Sequence, residues 1–306
     1  MTDYVYQKFV LNTPANTIIQ KINYTENKHI SNTVLNIIND MKARDYEQYE
    51  HVYLGEPYED DEGVIIKRTW INAAIDAHIK LNFEPLGPTR IGYDIADDGG
   101  DRCVNIVSRG SLALSMDWWK ANEDELLKSC KRTYANALEN DRAHITYDAT
   151  GVGASAGAKF AEINAERQDG IEIGYEKFQS GGAVLQPERK YSAQIKNKDM
   201  FSNLKAQSWW LVADRFRNTW DAVTNGTEYD PNELISISSD IKDIEKLKTE
   251  LSTPKKDYDK QNRVKVESKK DLLDREVPSP DLADAFILAF APVKSSRSAL
   301  DVLMGS

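Results

Sequence analysis

The stretch "HITYDATGVGASAGAKF", residues 144–160, admits two readings, and the choice between them decides the fold. A phosphate-cradling loop needs G-x-x-x-x-G-K-[ST] behind a strand, because backbone N–H groups wrap the phosphates, the lysine reaches them and the hydroxyl holds a cation. Here Ala158 follows Gly157 and Phe160 follows Lys159, so the glycine-lysine step and the hydroxyl are both missing. The other reading takes "AHITYD" as an apolar strand ending on Asp148 and "SAGAKFAEINAER" as a helix entered through a glycine-rich turn. A carboxylate at such a strand end points into an open edge that a cation or a phosphate can approach.

Working outward, "TRIGYDIAD", "CVNIVSRG" and "SLALSMDWW" read as three short strands from residue 89, separated by "DDGGD" and the turn Arg109-Gly110-Ser111. That pattern predicts an antiparallel meander. "NEDELLKSCKRTYANALEN" follows as a helix, with Asn122 as its cap and Glu125 three positions on. After the Asp148 strand and its helix, "IEIGYEKF" reads as another strand. The order β-β-β-α-β-α-β predicts an α/β fold, a mixed sheet flanked by helices.

Upstream, "SNTVLNIINDMKARDYEQYEHVYL" spaces Val34, Leu35, Ile38 and Met41 as a helix, with Ser31 or Asn32 as its cap. "GEPYEDDEG" after it has the glycine, proline and charge of a linker. Downstream, a single long helix is predicted from "NKDMFSNL" to Asn225-Gly226. Its Phe201, Trp209, Phe216 and Trp220 read as core rather than as a base-stacking platform, because an apolar face is buried by default. "DIKDIEKLKTEL" is a shorter helix, a basic hairpin follows, and "SPDLADAFILAFAP" is the last helix, with Ser279 as cap and Pro280 at the first helical position.

With 306 residues, 41% of them hydrophobic, the chain has material for one large domain with or without an appendage, and no apolar run approaches a membrane span. Cys103 and Cys130 form no C-x-x-C pair, and no signal peptide is evident, which suits a reducing, cytoplasmic setting. A net charge of −10 excludes nucleic-acid binding through the whole surface, since such binding displaces counterions with clustered Lys and Arg. Contact with a polyanion must be local. The richest basic segment is "KKDYDKQNRVKVESKKDLLDR", residues 255–275, in which eight basic side chains face five acidic ones. Lys255, Lys256, Lys260, Arg263, Lys265, Lys269 and Lys270 are therefore the candidate DNA contacts, with Lys159, Lys177 and Arg189 as the fallback set. An exposed hairpin protected against edge pairing has the same composition.

The acidic residues carry more chemistry. Asp94 and Asp148 each end an apolar strand, and Asp281 and Asp284, three apart, share one face at the start of the last helix. Asp281 alone would merely favour the helix dipole. Asp284 stands among Leu282, Ala283, Ala285, Phe286 and Ile287, where a carboxylate needs another reason. Several carboxylates brought together repel and take up protons unless cations neutralise them, and an oxygen-only set suits Mg²⁺ or Mn²⁺. The implied device is a two-metal phosphodiester hydrolase.

Four stretches in order, "YEHVYLGEP", "IGYDIADDGGDRCVNIVSRG", "ITYDATGVGASAGAKF" and "VKVESKKDLLDREVPSPDLADAF", resemble the nuclease part of the large terminase subunit of tailed bacteriophages and prophages. The resemblance covers residues 46–292 and implies a ribonuclease H-like fold. It implies Asp94, Asp148 and Asp284 as catalytic metal ligands for two Mg²⁺ or Mn²⁺ ions, with Asp101 and Asp281 as auxiliary carboxylates. It implies double-stranded DNA as substrate, cut from concatemers during genome packaging in the host bacterial cytoplasm, and the terminase small subunit and portal protein as partners of a full-length subunit. The isolated chain is expected to be monomeric. No Walker motif stands in residues 1–55, which resemble the last helical part of a terminase ATPase domain; 56–88 is then a linker and 89–306 the nuclease domain. A resolvase or transposase of the same superfamily, or a non-catalytic docking module of the packaging motor, stay open as alternatives.

Overall fold

Alternation along the strands builds the sheet, and burial on both faces makes its centre almost wholly apolar. The computed structural model describes residues 18, 22–44, 49, 52–55, 63–96, 102–120, 125–192 and 195–292. The chain divides into two compact units, Met1–Glu62 and Gly63–Ser306. In the first, helix α1 (Asn32–Arg44) starts at Ser31, whose Oγ accepts from Val34 N at 3.3 Å. Ile38 is buried there, and the hydroxyls of Tyr24 and Tyr49 meet at 3.0 Å.

The second unit holds a six-stranded sheet among its described residues, β1 (Thr89–Asp94), β2 (Cys103–Arg109), β3 (Leu112–Trp119), β4 (His144–Asp148), β5 (Tyr175–Phe178) and β6 (Ser236–Ile237), in the order β5-β4-β1-β2-β3-β6. β1, β2 and β3 form the expected antiparallel meander; β4 runs parallel to β1 and β5 parallel to β4, while β6 adds to β3 in parallel. Gly110 turns β2 into β3 with φ +55°, a conformation glycine adopts without penalty. The helices are α2 (Arg68–Ala74), α3 (Ala77–Lys80), α4 (Leu126–Glu139), α5 (Ala156–Glu166), α6 (Asn197–Met200), α7 (Leu204–Asn225), α8 (Ile244–Leu251), α9 (Lys269–Asp274) and α10 (Asp281–Phe290). Strands β7 (Lys256–Tyr258) and β8 (Val264–Val266) make the basic hairpin. The whole is an α/β, ribonuclease H-like mixed sheet flanked by helices.

Each face of the sheet has its own core. Ile91, Tyr93, Cys103, Val107, Ile145 and Tyr147 pack with Tyr134 of α4 and Phe160 of α5 on one side. Val104, Ile106 and Ala113 pack with Trp209 and Phe216 of α7, Leu247 and Leu251 of α8, and the apolar residues of α10 on the other. A helix apolar on all sides must be enclosed, and every residue of α10 is buried except Asp284. Ile65, Ile66, Ile71 and Ala74, from the stretch read as linker, join this second core, because α2 lays its apolar side on α7 and α8.

The structure corrects several local expectations. The long helix is interrupted: α6 ends at Met200, Phe201 is extended and pairs with Val264, and Asn203 starts α7 by accepting from Ala206 N. At its far end Gly226, with φ +73°, closes α7 as expected. Ser279 does not cap α10; its Oγ is buried without a hydrogen-bond partner, and Pro280 takes the cap position, so neither residue stands where the sequence pattern puts it. Glu125 stands at the start of α4, while Asn122 lies outside the described residues. The hairpin does not lead straight into α10, because α9 intervenes behind a Ser268–Asp271 capping box. Among the described residues no helix is long and apolar enough to cross a membrane.

Candidate active site

Parallel pairing of β1 and β4 aligns Tyr93 with Tyr147, so Asp94 and Asp148 end neighbouring strands. Both Tyr side chains belong to the α4/α5 core, and the strand period of two turns Asp94 and Asp148 to the opposite face, toward α10. Asp148 Oδ1 accepts from Thr150 N at 3.0 Å and from Thr150 Oγ1 at 2.7 Å; Oδ2 accepts from Ser180 Oγ at 3.3 Å. Behind it the chain folds back so tightly that a Cβ on Gly153 would lie 1.9 Å from the Asp148 carbonyl oxygen. The glycine-rich tail thus serves a sharp turn and brings no lysine to a phosphate loop.

The start of α10 completes the acidic group. Gly92, one strand period before Asp94, has no side chain to hold the helix off: a Cβ there would lie 2.0 Å from Ala285 O and 2.3 Å from Ala289 N. With the helix seated on that glycine, Asp284 comes to Asp94. Asp281 is buried and accepts from Arg102 N at 2.9 Å and Arg102 Nε at 3.4 Å. Arg102 also donates to Glu250 Oε1, and Glu250 Oε2 accepts from Leu282 N at 2.7 Å, satisfying a free donor at the helix start. Burial pushes the Glu250 carboxyl up to about 7, against the pull of Arg102. Asp284 forms an ion pair with Lys205 of α7, whose Nζ stands 2.9 Å from Oδ1 and 3.0 Å from Oδ2.

Among the described residues no cation forms such an ion pair with Asp94. Burial first, and then the charges of Asp284, Asp281 and Asp148, hold its carboxyl well above the usual carboxylate range; Lys269 of α9 pulls the other way. The structure therefore brings Asp94, Asp148, Asp281 and Asp284 together, while Asp101 lies outside the described residues. Among the described residues no three His, Cys, Asp or Glu side chains stand close enough to enclose a cation as they are now held. The donor set still fits one: it is all oxygen, its carboxylates oppose the ionisation of Asp94, and Lys205 already stands at one member as a counterion.

The basic candidates separate. Arg263 pairs with Asp259 at 2.7 Å and Lys265 with Asp257 at 2.8 Å, so both are spent within the hairpin. Lys256, Lys260 and Lys270 are exposed and Lys255 is partly so, while Lys269 acts on Asp94 from the start of α9. Of the fallback set, Lys159 pairs with Glu162 at 3.2 Å, Lys177 is an exposed residue of β5, and Arg189 bonds Gln186. Sequence reading missed Lys205, Arg102, Glu250, Thr150 and Ser180. Only Thr150 left a trace, as the Asp-x-Thr of a side-chain turn.

No protein-family model matches this chain. No curated protein matches it either. Among solved structures, the fold is similar to the nuclease domain of the large terminase subunit gp2 of bacterial virus Sf6, at 26% identity and a TM-score of 0.69, over 75% of this chain and 99% of that one. A mutant of the same domain with manganese and beta-thujaplicinol matches equally, with a TM-score of 0.69 at 26% identity over 75% of this chain and 99% of that one. A mutant with calcium gives 0.67 at 26% identity and the same coverage, 75% and 99%. The likeness to terminase nuclease domains thus holds in three dimensions as well as in the four sequence stretches.

Proposed function

We propose that this chain is the nuclease part of a phage or prophage large terminase, a cation-dependent endonuclease that cuts concatemeric double-stranded DNA during genome packaging. The observation that carries this reading is the meeting of Asp94, Asp148, Asp281 and Asp284 at two strand ends and one helix start, with Asp94 held above its ordinary titration range by burial first and then by the charges of the other three. Asp94, Asp148 and Asp284 would hold two Mg²⁺ or Mn²⁺ ions in this reading, with Asp281, and Asp101 beyond the described residues, in support. Such ions, when bound, would stabilise the negative charge on the attacking and leaving oxygens of a phosphodiester. The chain's own residues orient the carboxylates: Thr150 and Ser180 fix Asp148, Arg102 fixes Asp281, and Lys205 balances Asp284. The manganese-bound neighbour supports a divalent cation at this fold. Residues 1–55 would be the end of an ATPase domain and 89–306 the nuclease domain, with 56–88 a connection whose Ile65, Ile66, Ile71 and Ala74 pack onto the nuclease core; portal protein and small subunit would meet the full-length protein in the host cytoplasm.

The test is nicking and linearisation of supercoiled plasmid with Mn²⁺, Mg²⁺ or chelator. Cutting with either cation and none with chelator is expected; equal cutting in chelator would sink the reading. Cation binding has its own readout. Mn²⁺ should raise the melting temperature of the wild type by binding the folded state alone. Lys205→Ala should melt lower than wild type in chelator, having lost the ion pair to Asp284, and gain more from Mn²⁺, because no ammonium competes for that carboxylate. A smaller Mn²⁺ gain in the variant would contradict this.

DNA contact by the hairpin is the next expectation. Lys255, Lys256 and Lys260 pair with no carboxylate among the described residues, unlike Arg263 and Lys265. Changing the three together to Glu should weaken binding to unrelated DNA sequences alike and flatten its salt dependence, by up to about three units of logarithmic slope if each meets a phosphate. Unaltered affinity at low salt would assign the hairpin an edge-protecting role and move the contact to Lys177 and Arg189.

A further inference from the structure

The face of β1 that meets α10 carries Arg90, Gly92 and Asp94 in alternation, so the acidic end of the strand has a basic counterpart at the other. Arg90 and Arg215 line a partly open cavity of about 190 Å³, walled by Pro88, Gly110, Asn232 and Phe290, with no acidic side chain among the described residues of its lining. At about 30 Å³ per water the space holds about six waters, room for a tetrahedral oxyanion.

The cations in this wall are poorly compensated. Arg215, on α7, donates from Nε to Leu234 O at 2.9 Å and lies 5.1 Å from the centre of the Phe290 ring; no carboxylate among the described residues pairs with it. Arg90 donates from Nη1 to Ala291 O at 2.9 Å and from Nη2 to Thr146 Oγ1 at 3.1 Å, while its Nε is buried without a partner. Glu176 stands 3.7 Å from Arg90 and is shared with His144 at 3.8 Å. One carboxylate thus serves the Arg90 guanidinium and an imidazole, and none among the described residues is left for Arg215. Burial, and then the charge of Arg90, hold Arg215 down to about 10, still charged at neutral pH. A guanidinium that keeps its proton and is only partly reached by water is favoured by an anion beside it, and its planar fork fits two oxygens of one.

We propose that the cavity between Arg90 and Arg215 binds a phosphate-sized oxyanion, with the free fork of Arg215 donating to it. The site lies four residues along β1 from Asp94, about 13 Å at strand rise, and is separate from the acidic group. It goes beyond the nuclease reading and does not depend on it. Its ligand is either free inorganic phosphate or a backbone phosphate of DNA.

Calorimetric titration of inorganic phosphate into the metal-free full chain, at constant ionic strength, is the test. One saturable site is expected in the wild type, with affinity at least about tenfold lower in Arg215→Gln. Arg215→Lys, which keeps the charge and loses the fork, should fall between them. No saturable binding in the wild type, or equal binding in a folded Arg215→Gln, would overturn the proposal. If that variant does not fold, wild-type crystals soaked in selenate decide: an anomalous peak between Arg90 and Arg215 supports the site, and none there overturns it. A short duplex added to the phosphate complex names the source. Displacement of phosphate means a backbone phosphate, coexistence means the free anion, and either keeps the site.

Discussion

Asp94→Asn is expected to abolish cation-dependent cutting, by at least about a thousandfold, while making the cation-free protein more stable. The two effects have one cause. Asp94 sits where burial and three other carboxylates oppose its ionisation, so its folded-state carboxyl titrates well above the unfolded one. For an acid shifted upward, stability is complete below the unfolded value and is lost as pH rises through the folded one. Above the unfolded value the wild type therefore bears a cost, as repulsion or as proton uptake on folding, that the amide does not. The variant should melt higher in chelator at neutral pH, and the gain should vanish in acid, where the wild type is protonated too. Added Mn²⁺ should reverse the order by stabilising the wild type more. Plasmid nicking, with melting curves at several pH values in chelator and in Mn²⁺, checks all of this. Wild-type cutting by a variant with native circular dichroism would remove Asp94 from the site; a lower melting temperature in chelator would show that its charge is already compensated.

Gly92→Val should unfold or nearly unfold the second unit, and Gly92→Ala should cost about 3 kcal/mol, near the upper end of ordinary overpacking. The atoms a new Cβ would meet, Ala285 O at 2.0 Å and Ala289 N at 2.3 Å, belong to the backbone of α10 and cannot rotate aside. The helix must lift from β1, and it is held on both sides: Ser108 Oγ donates to Ala289 O at 3.2 Å, and Phe286 is enclosed by the second core. For a unit of this size, about 3 kcal/mol lowers the melting temperature by roughly 6–12 °C. Lifting α10 also carries Asp284 away from Asp94, so cutting should fall further than stability explains, even below the melting point. Denaturant unfolding and a cutting assay at low temperature separate the two losses. Normal stability in Gly92→Ala would mean that α10 is not seated on this glycine.

Much of the fold was legible because its signals are local. Strand alternation, the Asn225-Gly226 stop and the spacing of turns depend on neighbours a few residues apart, and the meander and the α-β-α-β run follow from them. Carboxylates ending apolar strands, and Asp284 inside an apolar helix, were conspicuous because they contradict their own surroundings. Other elements gave misleading local signals or none. Ser279-Pro280 has the pattern of a helix start, yet Glu250 supplies the acceptor for Leu282 N instead. The run from Asn197 to Asn225 is continuously helical in composition, but pairing of Phe201 with Val264 outweighs the helix propensity of the three residues 201–203.

The sequence alone determined which residues have the chemistry: acidic side chains of strand-end and helix-start type, a sheet able to present them, and the absence of a phosphate loop at 151–160. Tertiary structure decided how that chemistry is balanced. Lys205 meets Asp284 across 79 positions and Arg102 meets Asp281 across 179, and neither residue differs in its local context from an ordinary surface cation. Arg90 and Asp94 are separated only by the crossing of α10 at Gly92, so the same three-position alternation yields a basic cavity and an acidic cluster. The physical reason is range. Periodicity and turn chemistry act over a few residues and are written in the chain, whereas burial and Coulomb terms depend on which distant segments share one space, and that is settled only when the sheet and its helices close on their cores.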